Sequence, residues 1–352
     1  MVLGPADPGS PASVLTGEGL VDTPGEPVPP GETARTGPIQ GRSLRQIAWR
    51  RFKRDKAAMA GGVIVILLIV MALFAPLIIK YFGYHPNEFH QDLIDTQGGT
   101  LLPTSGVLNS GISGDHWFGI EPVNGRDIFS EIVYGARISL LIAFLSMFVS
   151  VIIGTTLGVI AGFAGGWVDT LISRAMDVFL AFPLLLFAIA LATVFPDTAF
   201  GMSGLTLRIV VLIFIIGFFN WPYIGRVIRG QALSLREREF VDAARSLGAR
   251  RAYIIAKEML PNLVAPIMIY ATLLIPSNIL FEAGLSFLGV GITRQPVGEP
   301  GVTWGGMLSS AVRYYSVQPH YIFFPGMAIF ITVLAFNLLG DGLRDALDPK
   351  SR

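Results

Sequence analysis

The sequence predicts an all-α integral membrane protein with six transmembrane helices. Of its 352 residues, 52% are hydrophobic and only 14% charged, with a mean hydropathy of +0.60; a soluble domain carries about 25% charge. Six apolar runs approach or exceed the roughly 20 residues of helix that cross a hydrocarbon core. Lysine and arginine segregate to alternate loops, as the positive-inside rule requires. The absence of cysteine excludes disulfides, thiolate metal sites and cysteine nucleophiles.

Residues 1–41 are rich in Pro, Gly, Ser and Thr, with Arg35 the one basic residue. No apolar stretch follows a basic start, so the segment is not a signal peptide. It cannot bury enough apolar surface to offset its ordering entropy and reads as a disordered cytoplasmic tail. Residues 42–56 form a basic interfacial segment (Arg42, Arg45, Arg50, Arg51, Lys53, Arg54, Lys56), with a short amphipathic helix expected over Leu44–Phe52. The membrane domain then covers 57–352.

The apolar runs are Ala57–Ile79, Ile138–Phe163, Val178–Phe195, Ile209–Ile224, Leu263–Leu288 and Tyr321–Leu339. Between the first two lies a polar loop, 80–136, with only Lys80 and Arg126 as basic residues. The loop 225–260 carries Arg226, Arg229, Arg236, Arg238, Arg245, Arg250, Arg251 and Lys257, whereas 289–320 has only Arg294 and Arg313. This asymmetry puts both termini and the 225–260 loop in the cytoplasm. The loop 80–136 is too long for a plain connection. Holding Leu101, Leu102, Trp117 and Phe118 among its acids, it is expected to fold into an extracytoplasmic cap.

Nucleotide and metal chemistry find no motif here. No lysine follows a glycine, so there is no phosphate-binding loop of the Walker type. His85, His90, His116 and His320 have no metal-ligand spacing, and no nucleophile–base pair is visible, so no catalytic, metal or cofactor residue is assigned. The glycines at 161–166 read as a helix–helix turn and a place of close packing. An ion-coupled transporter would place ionisable groups at mid-membrane and often shows inverted repeats; the centres of these spans hold almost no charge.

The loop 225–260 is more specific. Leu235–Leu247 suits a helix with Phe240, Val241, Ala244 and Leu247 on one face. Gly248 fits the left-handed position that ends a helix. A second helix is expected from about Ala252 to Leu260, with Pro261 redirecting the chain into the fifth span. The product is a compact basic elbow with small residues, Ala243 and Ala244, where another protein could approach. The fifth run, interrupted by Pro266, Pro276, Asn278 and Glu282, reads as a broken helix near a gate or pathway, with Glu282 towards the outer boundary.

Asp242-Ala243-Ala244, Gly248 and Leu260-Pro261 resemble the EAA motif of ABC importer permeases, with Asp in place of Glu and Glu258 where many members have Ile. Gly125-Arg126-Asp127 leading to Gly135-Ala136-Arg137-Ile138-Ser139-Leu140 resembles the oligopeptide/dipeptide branch. So do Gly166-Trp167-Val168-Asp169, Ala181-Phe182-Pro183, Ser286-Phe287-Leu288-Gly289 and the C-terminal Leu339-Gly340-Asp341-Gly342-Leu343-Arg344-Asp345-Ala346-Leu347-Asp348-Pro349, the last similar to the C-type permease subunit. Gly119-Ile120-Glu121 departs from the usual Gly-Thr-Asp, and the N-terminal tail is not covered.

The resemblance implies a type I importer fold with a cytoplasmic coupling helix in a bacterial inner membrane. It implies a second homologous permease subunit, one or two ABC ATPase subunits that hold the ATP and Mg, and an extracytoplasmic solute-binding protein. Asp242, Ala243, Ala244, Arg245, Leu247, Gly248, Leu260 and Pro261 would couple to the ATPase. Pro276, Asn278 and Glu282 would serve the gate or pathway, and Trp117, Phe118, Arg126 and Asp127 would meet the binding protein. Oligopeptides or dipeptides are the expected cargo; nickel chelates, glutathione or another small solute are the alternative. Lipid is a partner and nucleic acid is not.

Overall fold

The computed structural model describes residues 44–106, 110–194, 198–292 and 301–347. The tail expected at 1–41, Arg294 and the Asp348-Pro349 end of the C-terminal motif lie outside these residues.

Among the described residues eleven helices follow one another in chain order. A basic helix α1 (Leu44–Arg54) leads to α2 (Lys56–Leu73) and α3 (Ala75–Phe82). Asp55 ends one helix and starts the next: its Oδ1 accepts from the N–H groups of Ala57 (2.9 Å) and Ala58 (3.1 Å). The first apolar run divides at Phe74, where Pro76 enters the first turn of α3. Helix α4 (Ile128–Ala164) begins well before the apolar run it contains. Its 37 residues span about 55 Å at about 1.5 Å each, more than a hydrocarbon core.

The third run is the main departure from expectation. It is not one helix: α5 (Gly166–Ala181) and α6 (Leu184–Val194) meet at 80°. Proline at 183 disfavours helical backbone at the residue before it, and Phe182 is extended (φ −77, ψ 129). A two-residue hairpin, Thr198–Ala199 with Met202–Ser203, precedes α7 (Gly204–Arg236). Then come α8 (Glu239–Ser246), α9 (Arg251–Phe287), α10 (Trp304–Ala311) and α11 (Pro319–Leu347). The fifth run is unbroken: Pro266 and Pro276 lie inside a continuous helix.

Helices α4 and α7 form the most extensive pairing. Ser146 Oγ donates to the Ile213 carbonyl (3.4 Å) and Ser150 Oγ to that of Gly217 (2.8 Å), each 67 residues ahead. The same offset continues through glycines: a Cβ on Gly154, Gly158 or Gly162 would lie 2.6, 2.6 or 2.7 Å from the carbonyl oxygen of Trp221, Gly225 or Arg229. A constant offset means the helices run parallel. Parallel neighbours in one bilayer need an odd number of crossings between them, so the bent α5–α6 pair makes one span and the total is six.

The other pairings alternate as six spans require. Gly61 of α2 packs on Ala335 and Leu338 of α11 while Gly342 meets Ala58, an antiparallel order. The main core lies among α2, α4, α9 and α11, with Val65, Leu140, Met147, Ile275, Ile279 and Phe336. Outward faces stay apolar, as with Ile66, Leu67, Val70 and Leu73 on α2, which suits lipid contact.

Candidate functional site

The elbow is built from the end of α7, α8 and the start of α9. The expected helix Leu235–Leu247 is interrupted: α7 runs to Arg236, Glu237 caps it, and Arg238 is extended (φ −90, ψ 145) before α8. The predicted positive φ at Gly248 is present, at 78°. Around it, Gly248 N–H donates to the Arg245 carbonyl (2.9 Å) and Ala249 N–H to that of Ala244 (3.0 Å). This is the Schellman pair, which satisfies the last carbonyls of α8 and turns the chain.

The second helix of the elbow does not stop at Leu260. It starts at Arg251 and continues through the fifth span to Phe287. Pro261 has no N–H and would crowd the carbonyl four residues back. A π-helical turn at Ile254–Met259 takes up this misfit. Within it Leu260 N–H bonds back to Ile255, and the Asn262 side-chain amide donates to the Glu258 carbonyl at 2.6 Å. Pro261 is thus absorbed without redirecting the chain.

The four residues assigned to one apolar face divide between two. Val241 is buried and Ala244 half-buried against Phe163, Ala232, Ile254 and Met259. Leu247 is 88% exposed, and Asp242, Ala243 and Gly248 are exposed with it. The small outward residue is therefore Ala243, and Ala244 belongs to the seat that joins the elbow to the bundle. Arg245 lies 5.5 Å from the Phe163 ring and 3.0 Å from Asp242. Leu260 packs beside Ile224, Ile228 and Leu263, while Pro261 is exposed.

Pro276, Asn278 and Glu282 were expected near a pathway. All three are buried in helix packing within this chain. The Asn278 amide donates to the Ala143 carbonyl (3.2 Å), and Asn220 Nδ2 donates to Asn278 Oδ1 (3.2 Å), joining α4, α7 and α9. Glu282, 0% exposed, accepts from Ser139 (3.2 Å) and Ser286 (2.7 Å). Ser139 Oγ also accepts from the Trp304 N–H at 3.3 Å, so α10 joins the same network. No spacing rule identifies Ser139 or Asn220 as partners, because the contacts span 143 and 58 residues of sequence.

The 80–136 loop folds as a cap. Short bridges pair Ile94 with Pro103 and Ile120 with Asp127. Asp127 is its keystone: Oδ2 accepts from Ser130 N–H (2.8 Å) and Oγ (2.6 Å), capping α4, and Oδ1 lies 3.0 Å from His116 Nδ1. Arg126 lies 3.4 Å from Glu121, whose other oxygen accepts from Tyr321 (2.9 Å). Arg126 and Asp127, 7% and 3% exposed, thus hold the cap together and are not surface contacts. Phe118 stacks on Phe324 at 4.2 Å. Trp117 remains 49% exposed, resting on Phe82 and Phe129. Burial, with the nearby carboxylates of Asp115, Asp127 and Glu88, raises the Tyr84 hydroxyl above the ordinary tyrosine range. Among the described residues no three His, Asp or Glu side chains are grouped to hold a metal ion.

The family described as binding-protein-dependent transport system inner membrane component matches residues 154–352, and the N-terminal TM domain of oligopeptide transport permease C matches residues 43–103. The chain belongs to this permease family. It is an ABC importer permease of the oligopeptide group, a multi-pass inner-membrane protein. The permease is 42% identical over 313 residues to the glutathione transport system permease protein GsiD of Shigella flexneri serotype 5b (strain 8401), covering 89% of this chain and 93% of that one. It is equally similar, over the same shares, to the protein of that name from Escherichia coli O6:K15:H31. Among solved structures, the inward-facing MetNI methionine ABC transporter matches 63% of this chain and 98% of its own at 20% identity, with a TM-score of 0.48. The permease's family signature includes the elbow and the third to sixth spans.

Proposed function

We propose that this permease moves short peptides across the inner membrane, that its elbow docks an ABC ATPase, and that its cap meets a solute-binding protein. Both termini and the elbow then lie in the cytoplasm, in agreement with the basic 225–260 loop. ATP and Mg are held by the ATPase subunits, and a second permease subunit completes the pathway. The observation that carries this reading is the elbow's construction. An apolar seat of Phe163, Val241, Ala244, Ile254 and Met259 packs α8 on α4 and α9, while Ala243 and Leu247 face outward. An exposed leucine beside a small residue is a knob and a shallow surface with no use inside this chain.

Because α9 runs from the elbow without interruption to Glu282 and Phe287, a push on the elbow moves the whole fifth span as one rod. Cargo is the finer point. The oligopeptide-type motifs and the name of the bacterial relatives both favour small peptides, and glutathione, a tripeptide, is the first to try. The test is uptake by proteoliposomes holding the permease pair, its ATPases and the binding protein encoded beside it. ATP-dependent accumulation of labelled glutathione or dipeptide is expected. Accumulation of neither, with another small solute taken up instead, would move the cargo to that alternative.

A further inference from the structure

Behind α8, on the bundle side of the elbow, lies a cleft of ≈ 580 Å³ lined by Phe163, Ala164, Arg236, Glu237, Arg245, Ala249, Arg251 and Ile254. Three guanidinium groups and one carboxylate face it. Arg236 reaches over the α4–α5 turn, where a Cβ on Gly165 would lie 2.7 Å from its Nη1. Arg245 sits on the Phe163 ring, and Arg251 opens the long helix α9.

Two of the three have local carboxylates: Arg236 with Glu237 and Arg245 with Asp242, both at 3.0 Å. Such pairs between exposed neighbours are weak and exchange readily for a better anion. Arg251 is exposed, and its guanidinium has no ion-pair or hydrogen-bond partner among the described residues. The first N–H groups of α9 lack a side-chain cap and add partial positive charge at the same end.

A basic pocket between helices at the cytoplasmic membrane surface suits a phosphate headgroup. Planar guanidinium groups bind phosphate oxygens in pairs. We propose that this cleft binds a phosphate group, carried by an acidic phospholipid or present as free phosphate. It rests on the reading that the elbow lies on the cytoplasmic face. Bound there, the phosphate would bridge the α4–α5 turn to α8 and α9 and brace the elbow from behind, leaving the outward Ala243 and Leu247 clear.

The test uses the assembled importer in phosphatidylcholine nanodiscs with or without phosphatidylglycerol. Retained lipid is counted by native mass spectrometry. The unaltered importer is expected to hold phosphatidylglycerol, and Arg236→Gln and Arg251→Gln each to lower its retention about fivefold, the attraction of one basic residue at a lipid surface. Arg251→Lys should keep most of it. Arg238→Gln and Arg250→Gln, exposed positions outside the cleft, should change it little.

If phosphatidylglycerol is not held, inorganic phosphate is added in phosphatidylcholine discs. Protection of Arg236 and Arg251 from phenylglyoxal, read by peptide mapping, then supports the site with free phosphate as its ligand. Absence of both retention and protection overturns the proposal. So does an equal loss of lipid in the Arg238→Gln and Arg250→Gln variants, which would make the attraction diffuse. ATP-driven uptake by phosphatidylcholine proteoliposomes holding the same importer is measured alongside, so that failure of the cleft is distinguished from failure of the importer reading.

Discussion

Gly158 of α4 and Gly225 of α7 approach so closely that a Cβ on Gly158 would lie 2.6 Å from the Gly225 carbonyl oxygen. This contact is the middle of the three glycine contacts in the parallel stripe that fixes α4 against α7. Gly158→Leu should therefore separate the helices and cost about 1–3 kcal/mol or more by overpacking. Gly230 provides the contrast: it lies in α7 with no atom within 4 Å of its Cβ position, so Gly230→Ala should be neutral or stabilise by about 0.5–1 kcal/mol. Thermal unfolding of the purified permease checks both. Equal melting of the two variants would remove the stripe as the organising contact.

Asp127 caps α4 and pairs with His116, so Asp127→Ala should destabilise the cap by about 0.5–2 kcal/mol for the lost helix cap alone. Trp117→Ala should leave melting nearly unchanged and weaken binding-protein-stimulated ATP hydrolysis. Protease sensitivity of the 80–136 loop and hydrolysis assays separate these effects. If Trp117→Ala hydrolyses ATP normally in response to the binding protein, the exposed indole is a membrane-interface anchor only.

Glu282 is held by Ser139 and Ser286, an arrangement that packs helices. Glu282→Gln keeps hydrogen-bonding capacity and should preserve most of the uptake. Glu282→Leu strands two buried hydroxyls and should cost about 1–3 kcal/mol for each left unsatisfied. Transport should not follow a proton gradient in the unaltered permease. A gradient dependence abolished by Glu282→Gln would give this carboxylate a relay role instead.

The natural lack of cysteine makes the topology directly testable. Single cysteines at Thr104 and Ser234, both exposed, should react with an impermeant thiol reagent from outside the cell and only after permeabilisation, respectively. Labelling of Thr104→Cys in intact cells with Ser234→Cys protected is the expected pattern; the reverse would invert the chain.

Hydropathy alone located the spans, because twenty apolar residues in a row have few other uses. It did not show that the third span is bent, although Phe182-Pro183 carried the signal: proline acts on the backbone of its neighbour, and a hydropathy window averages that away. The glycines at 161–166 were legible as a turn and a place of close packing, but Gly154 and Gly158 did not stand out, because their partners on α7 lie 67 residues ahead and follow from packing. Gly248 was readable because left-handed backbone selects glycine. Which alanine faced outward was not, because the break at Glu237–Arg238 rotates α8 relative to the helix expected from Leu235. Likewise Arg126 and Asp127 looked like surface charges until Glu121, Tyr321, His116 and Ser130 appeared around them.

The central claim is that the outward face of the elbow couples the permease to its ATPase. Its most direct measurement is the binding of ATPase subunits to the permease pair, with uptake by the same reconstituted complexes. Three substitutions are compared: Ala243→Trp on the outward face, Ala244→Trp in the seat, and Gly248→Val, which meets the left-handed penalty of about 1–2 kcal/mol. Ala243→Trp should leave melting intact and sharply lower ATPase binding and uptake, whereas Ala244→Trp and Gly248→Val should disturb the elbow itself and lose both. Normal ATPase binding and normal uptake by Ala243→Trp and Gly248→Val together would contradict the claim and leave the elbow a basic loop.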